Sequence, residues 1–248
     1  MAADDSPAPE LLELRDLDVS GWDCLNRAAG SAKTPDGIDR NRSKNRAPID
    51  VPATNTQSFD TASFLQHVAA YDTEIAAKRR SELNTAQKER LATFEKQIVS
   101  LTGWIVLSYA GPPESTNCGD PVFVDWHIEL FEKPSDHPPT VGDPTPIVCE
   151  ITPRTERNIY RDNIRVQAIS GFFRLFHSLS YQTTGHKAQQ VRVTGFLLWD
   201  DEHNGKADVG QTIEDAPPNK YHHPWRSTAW EIHPVLKMEV VGTLPMTP

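Results

Sequence analysis

The sequence predicts a mainly β protein with some helix. Two observations lead there. Five segments, at 98–109, 122–132, 147–152, 191–199 and 228–240, carry strand patterns, and an amphipathic helical pattern separates the third from the fourth, giving the order β-β-β-α-β-β. Two helical patterns and an irregular N-terminal arm precede this set.

Residues 1–57 are rich in Pro, Asp, Asn, Arg and Ser and show little hydrophobic periodicity, so they are read as the arm, anchored only at Gly21-Trp-Asp-Cys-Leu25. Its basic cluster, Arg40-Asn-Arg-Ser-Lys-Asn-Arg46, is expected to be a solvated loop, with a polyanion contact as the alternative. Residues 58–97 form a two-helix segment. Asp60 caps the first helix, which buries Phe64, Val68, Tyr71 and Ile75 at spacings of four and three; Asn84 or Thr85 caps the second, with Leu91 and Phe94 on its apolar side. Lys78-Arg-Arg80 falls where cations complement a helix C-terminus.

Residues 98–248 make the β domain. The first strand is followed by a loop at 111–120, rich in Gly, Pro and small polar residues. In the second strand Val124, Trp126, Ile128 and Leu130 share one face and Asp125, His127 and Glu129 the other, because successive strand side chains alternate. A Pro-rich connection leads to the third strand, where Glu150 alternates with Cys149 and Ile151, and Pro153 stops it. Ile164, Ala168, Phe172, Leu175 and Phe176 mark a helix over about 158–178. The fourth strand carries Gly195 at a bulge or bend. After a long polar loop at 200–226, the last strand alternates Trp230 and Ile232 against Glu231 and His233, and Pro234 indicates a bulge or an edge.

The element order is that of an OB-fold, and Val-Arg-Val-Thr-Gly-Phe-Leu-Leu at 191–198 resembles a common OB strand with a mid-strand glycine. That resemblance implies an OB-like, five-stranded, partly open barrel over about 98–240. The Trp-Glu-Ile-His-Pro-Val segment is similar to one in uncharacterised bacterial proteins, which implies no activity. The long loop before the last strand departs from the pattern, and loops of that length are usually functional or disordered.

Composition narrows the functions. A chain of 248 residues with 38% hydrophobic and 24% charged residues suits one large or two small soluble domains, while 20 prolines and a mean hydropathy of −0.52 imply much irregular chain. The net charge of −9 disfavours general nucleic-acid binding. No run approaches the roughly 20 apolar residues of a membrane span. The start lacks the basic and apolar regions of an export signal, but Ala2-Ala3 before an acidic, Pro-containing stretch resembles what processing leaves. A periplasmic or extracellular bacterial protein is therefore expected, with a cytoplasmic one as the alternative. Of three cysteines, Cys149 reads as core; Cys24–Cys118 is the expected pair if the compartment is oxidising, closing a loop worth about 4 kcal/mol in the chain-entropy model, and three free thiols is the alternative.

Three constellations carry chemistry. Asp125, His127, Glu129 and Glu150, joined by Glu231 and His233, offer carboxylates and imidazoles suited to a divalent metal, Zn, Mn or Mg, drawn by Asp125, His127, Glu150 and His233. The alternative is a solvated sheet face paired with Arg154, Arg192 or Arg226. Asp200, Glu202, Asn204 and Asp208 with Gly205 partly match a calcium loop, but Gln211 stands where the bidentate carboxylate belongs. Tyr221-His-His-Pro-Trp-Arg226 offers stacking rings and a guanidinium fork, or an end plug with Arg226 paired to Glu231 or Glu129. No phosphate-binding glycine loop, nucleophile elbow or His-Glu-x-x-His is present. The expectation is a binding module presenting Asp125, His127, Trp225, Arg226 and His233 to an oligosaccharide, a short single strand or a protein segment. The alternative is a metal-dependent hydrolase of phosphoesters, nuclease-like in chemistry, with Arg154 or Arg226 neutralising developing charge.

Overall fold

The computed structural model describes residues 34–46, 56–75, 78–120, 124–134, 140–153, 155, 173–174, 189–214 and 222–243. In chain order these hold α1 (Pro35–Lys44), β1 (Gln57–Asp60), α2 (Thr61–Ile75), α3 (Thr85–Phe94), β2 (Ile98–Ala110), β3 (Trp126–Phe131), β4 (Ile147–Ile151), β5 (Phe173–Arg174), β6 (Gln189–Trp199), β7 (Thr212–Glu214), β8 (His222–Pro224) and β9 (Trp230–Thr243).

Five strands close a barrel in the order β2-β3-β4-β9-β6, with β6 returning to β2. All neighbours are antiparallel except β4 and β9, which meet in parallel at Cys149 and Ile232. The expected partly open barrel is thus closed, since β6 pairs with β2 from Ile98–Phe196 to Ile105–Gln189. Closure removes the sheet edges that an open barrel would expose. β1 adds in parallel to the start of β2, and β7 pairs with β8 in a separate small sheet.

Each barrel strand alternates as its sequence indicates. Ile128 and Leu130 of β3, Cys149 and Ile151 of β4, Val193 and Leu197 of β6, and Trp230 and Ile232 of β9 join one core with Phe64, Val68, Ile75 and Leu91 of the helices. Asp60 caps α2 by accepting from the Ser63 backbone N–H at 2.8 Å, and Asn84 and Gln87 form a reciprocal capping box on α3. Trp230 fastens the helices to the barrel. Its indole donates to Asp72 Oδ1 at 2.8 Å, and its ring meets edge-on the stacked pair Tyr71–Phe94.

Gly195 lies at register shifts, as its sequence context indicates. Opposite it Gly195 pairs with Val235 and Leu197 with Ile232, so β9 carries an extra residue at His233-Pro234. A Cβ on Gly195 would stand 2.4 Å from the Pro234 carbonyl oxygen, so only glycine lets the strands approach there.

Several expectations need correction. The cluster at 40–46 is not a solvated loop: Thr34 Oγ1 accepts from Gly37 N–H, Pro35 opens α1, and Arg40, Asn41 and Lys44 are buried. Arg80 does not serve the end of α2; it is buried, donating to Glu95 and Asp201 and to the Trp199 carbonyl. Within the helix expected over 158–178, Phe173–Arg174 is extended and pairs in parallel with Leu107–Ser108, the strand edge competing successfully with helical periodicity. The remainder of that helix, Arg154, Tyr221, Cys24 and the Gly21–Leu25 anchor lie outside the described residues.

Candidate functional site

The polar residues of adjacent barrel strands converge because alternation puts them on one face and register puts them side by side. His127 of β3 is the cross-strand partner of Glu150 in β4, and Cys149 pairs with Ile232, which sets Glu150 beside Glu231 and His233 of β9. Asp125 precedes β3 on the same face. This face is not solvated: Asp125, Glu129, Glu231 and His233 are fully buried and Glu150 nearly so. The solvated-sheet expectation fails because α1 and the loop after β2 cover this outer face, Lys44 reaching Glu150 and Asn117 reaching Asp125.

His233 is the centre. Its Nδ1 hydrogen bonds to Glu231 Oε1 at 3.1 Å and also lies 2.9 Å from Glu150 Oε2, the better-aligned bond being to Glu231. Its Nε2 faces Asp125 Oδ2 at 3.7 Å, and neither of those atoms has a hydrogen-bond partner. Asp125 Oδ1 accepts from Asn117 Nδ2 at 2.9 Å. His127 Nε2 lies 3.5 Å from Glu150 Oε1.

Cations close the cluster. Lys44, from the last turn of α1, reaches Glu114 Oε2 at 3.2 Å and Glu150 Oε2 at 3.9 Å. Arg226 is buried, with Nη1 at 2.9 Å from Asp200 Oδ2 and 3.7 Å from Glu231 Oε2, so the expected Arg226–Glu231 pairing is present but Asp200 is the closer partner. Arg40 pairs with Glu202 at 2.7 Å and Asp201 at 3.5 Å. Arg46 ties the end of α1 to the barrel through the Leu197 and His233 carbonyls.

These placements shift the titrations. Burial pulls His233 down, but the charge of Glu150 and the contacts with Glu150 and Glu231 outweigh it and raise the imidazole to about 10. Burial raises Asp125 to about 6 against the opposing charge of His233. Burial also acts to raise Glu150, yet His233, His127 and Lys44 hold it well below the usual carboxylate range. Burial and then Glu150 push Glu231 upward. Lys44 is raised despite burial by Glu150 and Glu114. The cluster is a set of enclosed charges whose forms are decided by one another.

The structure brings Asp125, His127, Glu150 and His233 together, with Glu231 and Arg226 behind them. Trp225 stands apart from these four: its ring meets His203 edge-on at 4.7 Å, with the Arg226 guanidinium 4.9 Å from its centroid. The Asp200–Asp208 segment folds by its own hydrogen bonds, Asp200 accepting from Glu202 N–H and contacting His203, and Asp208 accepting from Gly205 N–H.

Above the cluster lies a cavity of about 280 Å³ lined by Arg40, Asn41, Lys44, Glu114, Asp200 and His203, among others. Sequence patterns missed Glu114, and singled out Arg40 and Lys44 only as part of a solvated cluster with a polyanion contact as the alternative. A Thr-Pro-Asp helix start was present at Thr34, and Arg40 and Lys44 are one helical turn apart, but α1 buries charge rather than an apolar stripe and so has no hydrophobic periodicity. Glu114 carries no local signal at all. No family model, curated protein or solved structure matches the chain.

Proposed function

We propose that the chain is a binding module built on an OB-like barrel, with the cavity over the polar outer face of the barrel as its ligand site. The observation that carries this is the cavity's position. It lies between the loop joining β2 to β3, which supplies Glu114, Ser115 and Thr116, and the loop joining β6 to β9, which supplies Asp200, Glu202 and His203. Those two connections flank the ligand face of OB barrels. A closed five-stranded barrel with β4 parallel to β9 is compatible with that fold.

The lining favours a sugar ring of an oligosaccharide. Carboxylates, an amide, hydroxyls and an imidazole alternate around the cavity, and each sugar hydroxyl both donates and accepts. Arg40–Glu202, Lys44–Glu114 and His203–Asp200 already balance one another, which leaves no net cation for a phosphate, and Glu114, Asp200 and Glu202 would repel one. Nucleic acid is disfavoured on the same ground as by the net charge of −9. Binding is preferred to hydrolysis because the cavity opens to solvent, whereas Asp125, Glu150 and His233 are enclosed. The disulfide at Cys118 supports a periplasmic or extracellular setting.

A glycan-array screen of the full chain, followed by calorimetric titration of the hits, tests this. Glu202→Ala and His203→Ala are expected to weaken binding by about tenfold or more each, a loss of about 1.4 kcal/mol. A chain that binds no oligosaccharide, or that prefers a single-stranded oligonucleotide with a steep salt dependence, overturns it.

A further inference from the structure

We infer that Asp125, Glu150 and His233 form a binding site for one first-row divalent cation, Zn²⁺ or Mn²⁺, on the buried outer face of the barrel beneath α1. Each of the three brings a ligand atom within 4.8 Å of the other two. Such proximity alone is common among acids; what points to an ion is the state of the atoms. His233 Nε2 and Asp125 Oδ2 belong to fully buried residues, face each other at 3.7 Å and have no hydrogen-bond partner. Buried polar atoms are nearly always satisfied, because an unmade bond there costs about 1–3 kcal/mol. The gap is too long for a hydrogen bond, yet two bonds of about 2.1 Å to one ion span it at an angle of roughly 120°.

The surroundings have the form of a metal site's outer shell. A ligating histidine donates its other ring N–H to a carboxylate, which fixes the tautomer and leaves the remaining nitrogen free to coordinate. Here Glu231 Oε1 takes the Nδ1 proton of His233, and Asn117 Nδ2 holds Asp125 by its other oxygen. One imidazole with two carboxylates is a borderline-to-hard donor set that suits Zn²⁺ or Mn²⁺. A second convergence, Glu114, His127 and Glu150, shares Glu150, but there Lys44 already holds the cation's place at 3.2 Å from Glu114. The ion therefore belongs to the deeper set. Lys44 also lines the cavity over the cluster. This site is separate from the one proposed for the sugar and stands or falls independently of it.

The test is metal loading of the full chain. Purified protein is stripped with chelator, incubated with Zn²⁺ or Mn²⁺, desalted, and its metal counted by mass spectrometry, with affinity from calorimetry. About one equivalent is expected. Asp125→Asn and His233→Gln should each lower affinity by about a hundredfold, and Glu231→Gln, acting only by orienting His233, by about 10–100-fold. His222→Ala, which removes an exposed histidine, should leave metal affinity unchanged. If the ligand variants do not fold, the wild type still decides: Mn²⁺-loaded protein with ¹⁵N-labelled histidine should show imidazole coupling by pulsed EPR. A folded wild type holding no stoichiometric metal, a bound Mn²⁺ without imidazole coupling, or wild-type affinity in Asp125→Asn and His233→Gln overturns the assignment.

Discussion

At the scale of single residues, glycine and arginine act by opposite means. Gly195 contributes an absence: a methyl there meets the Pro234 carbonyl at 2.4 Å and Ile232 Cγ2 at 2.7 Å, neither a flexible side-chain tip. Gly195→Ala is expected to destabilise by about 3 kcal/mol, read from chemical denaturation, because β6 and β9 must separate or re-register at the barrel's longest pairing. A cost below ~0.5 kcal/mol would mean the strands can yield. Arg80 contributes by being paired. It bonds Glu95 at 2.5 and 3.0 Å, Asp201 at 3.2 Å and the Trp199 carbonyl at 2.6 Å, linking the start of α3's region to the end of β6. Arg80→Met removes the guanidinium from buried Glu95 and from Asp201, which keeps Arg40 at 3.5 Å, and the expected loss is about 3 kcal/mol. The double variant Arg80→Met with Glu95→Gln should recover part of it, which a coupling energy from the cycle would measure.

At the scale of elements, α1 is the piece whose attachment differs in kind. α2 and α3 dock through Phe64, Val68, Ile75 and Leu91 in the shared core, but α1 docks through Arg40, Asn41 and Lys44. Hydrophobic docking is not weakened by charge screening, whereas charge pairs are, less so when buried. Lys44→Ala should therefore loosen α1 selectively. Amide exchange over residues 35–44 is expected to quicken severalfold while the α2 and β6 amides keep their protection. Uniform loss of protection across all three elements would show that α1 is part of the global fold. The capping box of α3 gives a milder expectation: Asn84→Ala removes the acceptor for Gln87 N–H and should cost about 1 kcal/mol by denaturation.

At the scale of the whole molecule, enclosed charge sets the response to pH. Burial acts to raise Asp200, but the His203 hydrogen bond and the charges of Arg226 and His203 prevail, and its pKa lies well below the ordinary carboxylate value. A carboxyl whose folded pKa is depressed contributes stability that is present above its unfolded pKa, about 4, and is lost as pH falls through the folded value. Unfolding free energy measured against pH should accordingly decline below about pH 4, and less steeply in Asp200→Asn. An identical slope in the variant would remove Asp200 from the account. Covalent linkage adds a second whole-chain property. Cys118 is disulfide-bonded and Cys149 is a buried free thiol. Thiol titration of the denatured, unreduced chain should find one free thiol among its three cysteines, and a count of three would overturn the bond.

Much of this was legible beforehand because it depends on neighbours along the chain. Strand alternation, the caps at Asp60 and Asn84, the bulge at Gly195, and the shared face of Asp125 and His127 all follow from side-chain period and local backbone chemistry, whereas Glu150 and His233 join that face only through the β3–β4 and β4–β9 pairings. Periodicity decides which residues share a face, and that information is complete within a few residues. Whether the face is wet or dry is not. Solvation of Asp125, Glu150 and His233 was settled by α1, some eighty residues or more from Asp125 in the chain and carrying no apolar stripe to announce that it packs. Closure of the barrel was decided likewise by the β2–β6 pairing, a contact between segments roughly ninety residues apart. Burial and closure are properties of which distant segments meet. The strength of an ion pair, the direction of a pKa shift and the presence of a cavity depend on them, so the sequence determined the chemical groups of the site and only the tertiary structure decided the medium in which they act.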